Sequence, residues 1–240
     1  MTDIYLLRHP GLVDYPEARR IQAQLWRRRV RGEIPDTLLL LEHPLTITAG
    51  QAADLADLLV DWSELRRRGI AFFFADRGGS LTCHAPGQLV VYPVVDLRRR
   101  DRDVLQYVRD LEEVVIRMLA DMSLGARRDD RQAGVWVRDA KIASLGVAVK
   151  RWVTTHGVAI NVCNDLKPFS LIRPCGLANQ AMTSISRELG RDVAVEDVAD
   201  AFTASFAEVF NAGRVEDTVG RIVPVCAEVS AGARRSRGCS

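Results

Sequence analysis

The spacing of apolar residues predicts four helices along the chain. Apolar positions recur every three or four residues across residues 103–122 and again across residues 195–210. In residues 15–31 the apolar positions fall among many arginines, which predicts an amphipathic helix with a charged outer face. Residues 61–68 predict a short helix that Gly69 closes at its C-terminus.

Short apolar runs bounded by turn residues predict strands between these helices. The predicted strands are residues 4–7, 37–41, 70–75, 89–92, 134–137, 141–149 and 153–162. The apolar residues of the segment 45–60 follow neither the spacing of a helix nor the alternation of a strand. Thr46, Thr48 and Gly50 favour a loop there. Helices and strands mix without regular β-α-β alternation, so we predict an α+β fold. We expect one domain over residues 1–224 and a mobile tail over residues 225–240.

Composition excludes several classes of protein. Of 240 residues 48% are hydrophobic and 27% charged, and the formal charge of +2 does not favour a nucleic-acid partner. No apolar run approaches the roughly 18 residues of a membrane span, and no signal-peptide pattern opens the chain. The five cysteines form no C-x-x-C pair, so we expect reduced thiols, a cytoplasmic location and no metal site.

One stretch interrupts two apolar runs with glycines and polar side chains. Residues 77–93 read RGGSLTCHAPGQLVVYP. Glycine permits conformations and close approaches that other residues cannot make. We therefore predict a pocket at the rim of the core, lined by Arg77, Thr82, His84 and Gln88. The simpler alternative is a hairpin between two paired strands.

Three cysteines are candidates for a nucleophile. Cys175 lies between Pro174 and Gly176 in the run LIRPCGL, close in sequence to Arg173. A neighbouring cation lowers the pKa of a thiol and so favours the reactive thiolate. Cys83 and Cys163 compete for the same role, and a loop cysteine is commonly a bystander.

Lys141 opens a second informative stretch, KIASLG. A lysine that enters an apolar strand beside small residues loses hydration, which lowers its pKa. The alternative is a lysine in water at a strand edge. Ser144 and Gly146 are small enough to admit a ligand, and the run HGVA from His156 repeats this pattern. His84 and His156 are each either core histidines or pocket residues.

Three arginine runs, at residues 27–29, 66–68 and 98–100, have two interpretations. They form a positive rim that steers an acidic partner, or they are solvated helix faces. The solvated faces are the default for charge runs of this length.

Four motifs in order resemble one known family. RGGSLTCHAPGQLVVYP, KIASLG, HGVAINV and IRPCGL are similar to the octanoyltransferases of lipoic-acid synthesis, the lipoyl(octanoyl) transferases. The resemblance runs from about residue 38 to the last predicted helix. It implies the α+β fold of biotin and lipoate protein ligase catalytic domains, built around a mixed sheet with flanking helices. One departure is Ala85, where the family has glycine; an added methyl requires that the backbone there avoid positive φ.

The resemblance also implies a mechanism. An octanoyl group passes from octanoyl-acyl carrier protein to Cys175 as a thioester, and Lys141 is the dyad partner that lowers the pKa of this thiol. The acceptor is a lysine on lipoyl domains of 2-oxoacid dehydrogenases or on the glycine-cleavage H protein, with no cofactor and no metal. The implied substrate-binding residues are Arg77, Gly78, Gly79, Ser80, Leu81, Thr82, Cys83, His84, Ser144, Leu145, Gly146, Gly157, Val158 and Ala159, with His156 as a further pocket residue.

Three rival functions differ in what they require. An ATP-dependent lipoate or biotin ligase on the same fold passes through an acyl-adenylate and needs no thiol. A noncatalytic module that binds lipoyl domains needs neither Cys175 nor Lys141. A papain-type protease needs a Cys-Gly-x-Cys-Trp signature, which is missing.

Overall fold

A computed structural model describes residues 2–129, 132–173 and 181–217. The predicted Cys175 and the predicted tail therefore lie outside the described residues. The helices are α1 (Tyr15–Val30), α2 (Trp62–Arg67), α3 (Val104–Asp121), α4 (Ile185–Leu189) and α5 (Val195–Val209). Single 3₁₀ turns span Leu55–Asp57, Leu97–Arg99 and Lys167–Leu171.

Two sheets carry the strands of the described chain. The strands are β1 (Thr2–Leu12), β2 (Asp36–Glu42), β3 (Thr46–Ala49), β4 (Ala71–Phe74), β5 (Leu81–His84), β6 (Gln88–Val94), β7 (Arg127–Asp129), β8 (Gln132–Val137), β9 (Ala140–Lys150), β10 (Val153–Asn161) and β11 (Ala212–Asp217). The large sheet has the order β11-β1-β2-β6-β10-β9-β8-β7, and the small one β4-β3-β5. Strand β1 runs parallel to β2 and β11, and the remaining neighbours of the large sheet are antiparallel. The predicted mixed sheet with flanking helices is confirmed.

The four predicted helices all form. Helix α3 begins after Asp103, whose carboxylate accepts the N–H of Gln106, and α2 begins after Asp61 in the same way. Gly69 follows α2 with a φ of +65°, the left-handed conformation of a glycine C-cap. Sequence periodicity was sufficient here because each helix buries one apolar face.

The predicted loop at residues 45–60 is wrong in its first part. Residues Thr46–Ala49 form β3, the central strand of the small sheet, and all four are buried. Thr46 and Thr48 are polar, but β-branched residues suit strands and the Thr46 hydroxyl donates to the Pro44 carbonyl. The connection between the predicted strands 70–75 and 89–92 likewise contains β5, which pairs with the other edge of β3.

Two apolar layers enclose the large sheet. Helices α3 and α5 cover one face, and their core includes Leu111, Met118 and Phe202. Helix α1 covers the other face through residues such as Ile21 and Leu25. The small sheet has its own cluster of buried residues. None of the described helices is long and apolar enough to span a membrane.

A buried ion cluster fixes α1 to the sheet. Arg29 is only 3% exposed, and its guanidinium contacts Asp36 at 2.7 Å and Asp96 at 3.3 Å. Burial opposes ionisation of Asp96, but hydrogen bonds from Arg98 and the nearby Arg29 outweigh it and lower the pKa of this carboxyl. The Arg29 guanidinium thus joins α1 to both carboxylates.

Replacing Arg29 with methionine is expected to lower the free energy of unfolding by about 3–5 kcal/mol, because the buried Asp36 loses the arginine it pairs with and Asp96 keeps only Arg98. Urea denaturation followed by circular dichroism measures the change. The matched control is Arg27→Met, an exposed arginine of the same helix, which should cost less than about 0.5 kcal/mol. A loss below about 1 kcal/mol for Arg29→Met would contradict this account.

Candidate active site

A cavity of about 380 Å³, partly open to solvent, lies between the large sheet and the small one. Its lining combines apolar backbone with a few polar side chains, the composition of a small-molecule site. The lining residues are Tyr15, Arg77, Thr82, His84, Val90, Tyr92, Ser144, Leu145, Gly146, His156, Gly157, Val158 and Ala159. We call this the acyl cavity, after the octanoyl group that the resemblance implies.

Small residues on β9 and β10 form the floor of the acyl cavity. Ser144 lies opposite Ala159, and Gly146 lies opposite Gly157. A Cβ at Gly157 would approach the Val91 carbonyl oxygen to 2.3 Å, so only glycine fits there. The absence of bulky side chains along these two pairs leaves a slot parallel to the strands.

The loop after β4 closes the cavity over Gly146. The Gly78 N–H donates to the Val147 carbonyl at 2.9 Å, which fixes the loop to β9. A Cβ at Gly146 would lie 2.9 Å from the Gly78 carbonyl oxygen and 3.1 Å from Arg77 Cδ. Arg77 is buried and donates to the carbonyl and hydroxyl oxygens of Thr48. These glycines thus allow the loop and β9 to approach each other closely, as predicted from the sequence. The alternative of a simple hairpin is wrong, because β4 and β6 belong to different sheets.

A buried polar network leads from the acyl cavity to residues 181–183. His84 Nδ1 donates to Gln88 Oε1 at 2.9 Å, and Gln88 Nε2 donates to Asn161 Oδ1 at 2.9 Å. Asn161 donates to the Thr183 carbonyl, and the Thr183 N–H donates to the Lys141 carbonyl at 3.0 Å. Complete burial lowers the pKa of His84 well below its usual value, so the imidazole is neutral and Nε2 is an acceptor.

Ala85 does not distort the turn between β5 and β6. The backbone of Ala85 does not have a positive φ. Gly87 takes the left-handed conformation instead, with a φ of +84°. A Cβ at Gly87 would lie 2.8 Å from the Asn164 backbone nitrogen. The requirement for glycine therefore falls on Gly87, and the methyl of Ala85 is tolerated.

Two aromatic side chains outside the predicted site residues, Tyr15 and Tyr92, line the cavity, and His43 contacts Tyr92. His43 donates from Nδ1 to the Val13 carbonyl, and the Tyr92 hydroxyl donates to His43 Nε2 at 2.8 Å. Burial lowers the pKa of His43 to about 4, which keeps this ring neutral. Tyr15 stacks on Phe73, and its buried hydroxyl has no hydrogen-bond partner among the described residues. Nothing local in the sequence marks Tyr15 and His43 for this position, because distant segments bring them to Tyr92.

Lys141 is buried at the β8 end of the cavity floor. Its residue is 2% exposed, and its Nζ donates to the Ala133 carbonyl at 3.0 Å and lies 4.8 Å from the centre of the Trp136 ring. A Cβ at Gly134 would lie 2.4 Å from Lys141 Cε, so the lysine side chain lies over Gly134. Gly134 pairs with Ser144, which puts the amine beside the floor of the acyl cavity. The alternative of a strand-edge lysine in water is wrong.

Glu112 of α3 supports Lys141 through one peptide unit. Glu112 Oε1 accepts the Gly134 N–H at 2.9 Å, while the Ala133 carbonyl of the same peptide accepts Lys141 Nζ. Burial raises the pKa of Glu112, against the lowering effects of the Gly134 N–H, Arg128 and Lys141. The peptide between residues 133 and 134 thus lies between an acid and an amine and orients the latter.

Replacing Gly134 with alanine is expected to displace the Lys141 amine, because the new methyl would occupy the position of Cε. The φ of +152° adds backbone strain. Because the resemblance implies a catalytic role for Lys141, we expect the implied acyl transfer to fall at least about 100-fold, the scale of a misplaced catalytic group. Steady-state kinetics measure this, with Gly125→Ala as control since its added Cβ meets nothing within 4 Å. Activity within a factor of three of the wild type would contradict the assigned position of Lys141.

Ten of the residues implied by the resemblance line the cavity and five do not. The ten are Arg77, Thr82, His84, Ser144, Leu145, Gly146, His156, Gly157, Val158 and Ala159. The five are Gly78, Gly79, Ser80, Leu81 and Cys83. Leu81 and Cys83 lie in the apolar cluster of the small sheet, since successive strand residues face opposite sides and their neighbours Thr82 and His84 take the cavity side. Gln88 is buried in the polar network and does not line the cavity.

The two described cysteines are poor nucleophiles. Burial raises the pKa of the Cys83 thiol to about 12. Burial also raises the pKa of Cys163, and Glu42 adds to this effect. A thiol reacts as its thiolate, so neither suits a nucleophilic role at neutral pH. No group of three or more metal-ligating side chains occurs within the described ranges.

Carboxylates pair with several of the arginines in the basic runs. Arg29 is buried against Asp36, and Arg98 donates to Asp96 at 2.6 Å. Arg67 and Arg68 both contact Glu64. These pairs reduce the positive field that each run presents, which favours the solvated-face interpretation over steering of an acidic partner.

The fold and the cavity define a class of protein, and comparison with known proteins agrees with it. Residues 14–207 match the family described as lipoyl protein ligase A/B catalytic domain. An octanoyltransferase of Rubrobacter xylanophilus is 48% identical over 204 residues, which cover 84% of this chain and 91% of the relative. An octanoyltransferase of Chloroflexus aurantiacus is 49% identical over 83% of this chain and 91% of its own length. The chain belongs to the octanoyltransferase family and is an acyltransferase.

Solved structures of the same fold are more distant in sequence. Lipoate-protein ligase A bound with ATP aligns with a TM-score of 0.70 at 19% identity, over 91% of this chain and 89% of its own. A bipartite lipoate protein ligase from Thermoplasma acidophilum, studied with its E2 lipoyl domain, aligns with a TM-score of 0.69 at 20% identity, over 91% and 87%. These likenesses establish the ligase catalytic fold.

Proposed function

We propose that the protein transfers an octanoyl group from octanoyl-acyl carrier protein to the ε-amine of a lysine on a lipoyl domain, through a thioester on Cys175. Lys141 acts as the proton acceptor and donor for this thiol. The acceptors are lipoyl domains of 2-oxoacid dehydrogenases and the H protein. The observation that carries the proposal is the buried Lys141 amine beside a slot floored by small residues.

The neighbours of the segment that contains Cys175 support the pairing. The Arg173 N–H donates to the Asp57 carbonyl at 2.8 Å, two residues before Cys175. Beyond the segment, the Ala181 carbonyl accepts the Lys141 N–H at 2.8 Å. Six residues of chain between Cys175 and Ala181 span at most about 20 Å, so the chain length permits Cys175 to reach Lys141. Of the three candidate cysteines, Cys83 and Cys163 are disfavoured by their raised pKa values, which supports the choice of Cys175.

The first step exchanges one thioester for another. The Cys175 thiol gives its proton to the Lys141 amine, and the thiolate attacks the octanoyl carbonyl. The bond from this carbon to the carrier sulfur then breaks, and Lys141 returns the proton to the leaving thiolate. Reactant and product are both thioesters, so the exchange is nearly balanced and requires no nucleotide.

The second step forms the amide. The lysine amine of the lipoyl domain attacks the octanoyl carbonyl, a C–N bond forms, and the bond to Cys175 breaks. Lys141 takes a proton from the incoming amine and delivers it to the Cys175 thiolate. The slot over Ser144, Gly146 and Gly157 holds the alkyl chain in both steps, with up to about 0.8 kcal/mol gained for each buried methylene.

The proposal is tested by mixing the purified protein with octanoyl-acyl carrier protein and an unmodified lipoyl domain, with and without ATP. The expected result is octanoylation of the lipoyl domain at the same rate in both mixtures, followed by intact mass. A matched mixture with free octanoate in place of the carrier should give no product. Transfer only from octanoate with ATP would assign a ligase, and binding of the lipoyl domain with no transfer would assign a noncatalytic module.

A further inference from the structure

A second cavity adjoins the acyl cavity, and His156 lines both. The second cavity has a volume of about 710 Å³ and opens to solvent between α1 and the far ends of β9 and β10. It is lined by Arg19, Gln22, Ala23, Trp26, Arg27, Asp76, Ala148, Lys150, Thr155 and His156. The imidazole of His156 therefore stands between the two cavities.

The distance from Lys141 to His156 along the floor matches an eight-carbon chain. The Lys141 amine lies beside the Gly134–Ser144 pair, whereas His156 pairs with Val147. Val147 lies three positions along β9 from Ser144, a length of about 10 Å. An extended octanoyl group has seven carbon–carbon bonds, each advancing about 1.3 Å for bonds of about 1.5 Å, and so measures about 9 Å.

Three contacts hold His156 in this position. Its Nε2 donates to Asp76 Oδ1 at 2.9 Å, and its ring meets Tyr92 edge-on with centroids 6.0 Å apart. Its backbone N–H donates to Gln22 Oε1 at 2.7 Å. The His156 backbone has a φ of +57°, an uncommon conformation for a non-glycine residue. The hydrogen bond from His156 holds the pKa of Asp76 well below its usual value, so the pair is held by a carboxylate anion.

We propose that the His156 side chain, held by Asp76, is the wall that ends the acyl cavity and limits the donor to about eight carbons. This inference rests on the proposed function, because it takes the thioester to form beside Lys141. Without the imidazole the two cavities join, and the apolar side chains of Ala23 and Trp26 accommodate the additional carbons.

The test compares octanoyl- and dodecanoyl-acyl carrier protein as donors and measures the rate of acyl-enzyme formation by intact mass. In His156→Gly, which suits the positive φ and keeps the N–H bond to Gln22, the dodecanoyl-to-octanoyl rate ratio should rise at least about tenfold. Asp76→Ala, at an exposed side chain, releases the ring and should raise the ratio by a smaller factor. Arg20→Ala, exposed on α1 and lining neither cavity, should leave it unchanged.

The outcomes distinguish failure of the His156 wall from failure of the proposed function. An unchanged ratio in folded His156→Gly would overturn the role of His156 while leaving the acyl-enzyme in place. If that variant fails to fold, as judged by circular dichroism, an unchanged ratio in Asp76→Ala overturns it instead. A wild-type protein that forms no adduct with the octanoyl donor would overturn both the wall and the proposed function.

Discussion

Replacing Cys175 with serine is expected to reduce octanoyl transfer at least about 1,000-fold. A serine hydroxyl is far less acidic than a thiol, so Lys141 cannot generate the alkoxide as readily as it generates a thiolate. Cys175→Ala removes the nucleophile and should abolish transfer altogether. Both effects are measured as initial rates of lipoyl-domain octanoylation with octanoyl-acyl carrier protein at saturating acceptor.

The chain supplies its own control for a thiol effect. Cys163 is an exposed free cysteine, and Cys163→Ala should keep transfer within about a factor of two of the wild type. Loss of activity in this variant would point to a different nucleophile. Near-normal turnover in Cys175→Ala would refute the covalent mechanism, whatever the role of Lys141.

Lys141→Ala is expected to raise the pKa of Cys175 and to lower transfer about 10²- to 10⁴-fold, the usual range for losing a general acid–base. Below its pKa a thiol loses tenfold in thiolate fraction for each unit by which that pKa rises. The variant should therefore require higher pH for the same rate of alkylation. The measurement is the pH dependence of iodoacetamide alkylation at Cys175, followed by peptide mass.

Lys150→Ala is the matched control, because Lys150 is an exposed lysine at the far end of the same strand. Its alkylation profile should coincide with that of the wild type. An unchanged profile in Lys141→Ala would refute the pairing of Lys141 with Cys175 and would leave Cys175 as a nucleophile activated by other means. Glu112→Gln weakens the support of the 133–134 peptide, which holds the Lys141 amine. If Lys141 is paired with Cys175, this variant should shift the alkylation profile in the same direction as Lys141→Ala but by less.

Local pattern was sufficient for the helices and for most of the large sheet. Helix α3 repeats its apolar face over five turns, and β6 is a continuous apolar run bounded by turn residues. The role of the glycines at residues 78, 146 and 157 was also predictable, because a glycine between small or apolar residues indicates that another part of the chain or a ligand approaches its backbone closely. Two predicted strands joined by a short turn pair with each other, so the sequence also indicated that Ser144 and Gly146 lie close to Gly157 and Ala159.

Features that depend on long-range pairing could not be read in the same way. Strand β3 is polar at two of its four positions, and only its neighbours β4 and β5 identify it as a strand. The edge strand β11 pairs with β1, which is about 200 residues away along the chain. Alternation along β5 decides that His84 lines the cavity while Cys83 does not, and the register of that strand is a property of the sheet.

The residues that support the site were the hardest to predict from the sequence. Glu112 lies in a helix whose acidic residues suggest an ordinary solvent face, yet this carboxylate is 5% exposed and contacts the peptide that holds Lys141. Tyr15, at the start of α1, lines the acyl cavity from a helix that the sequence marked only as amphipathic. Such residues act through tertiary contacts, so the motifs that identify a family do not include them.

In the proposed reaction Cys175 carries the octanoyl group between donor and acceptor. The most direct measurement is intact-protein mass spectrometry after mixing the protein with octanoyl-acyl carrier protein, without ATP and without acceptor, followed by peptide mapping. We expect a mass increase of one octanoyl group that hydroxylamine removes and that maps to the peptide containing Cys175. An unmodified protein that nonetheless octanoylates a lipoyl domain, or a stable adduct on another residue, would contradict the account.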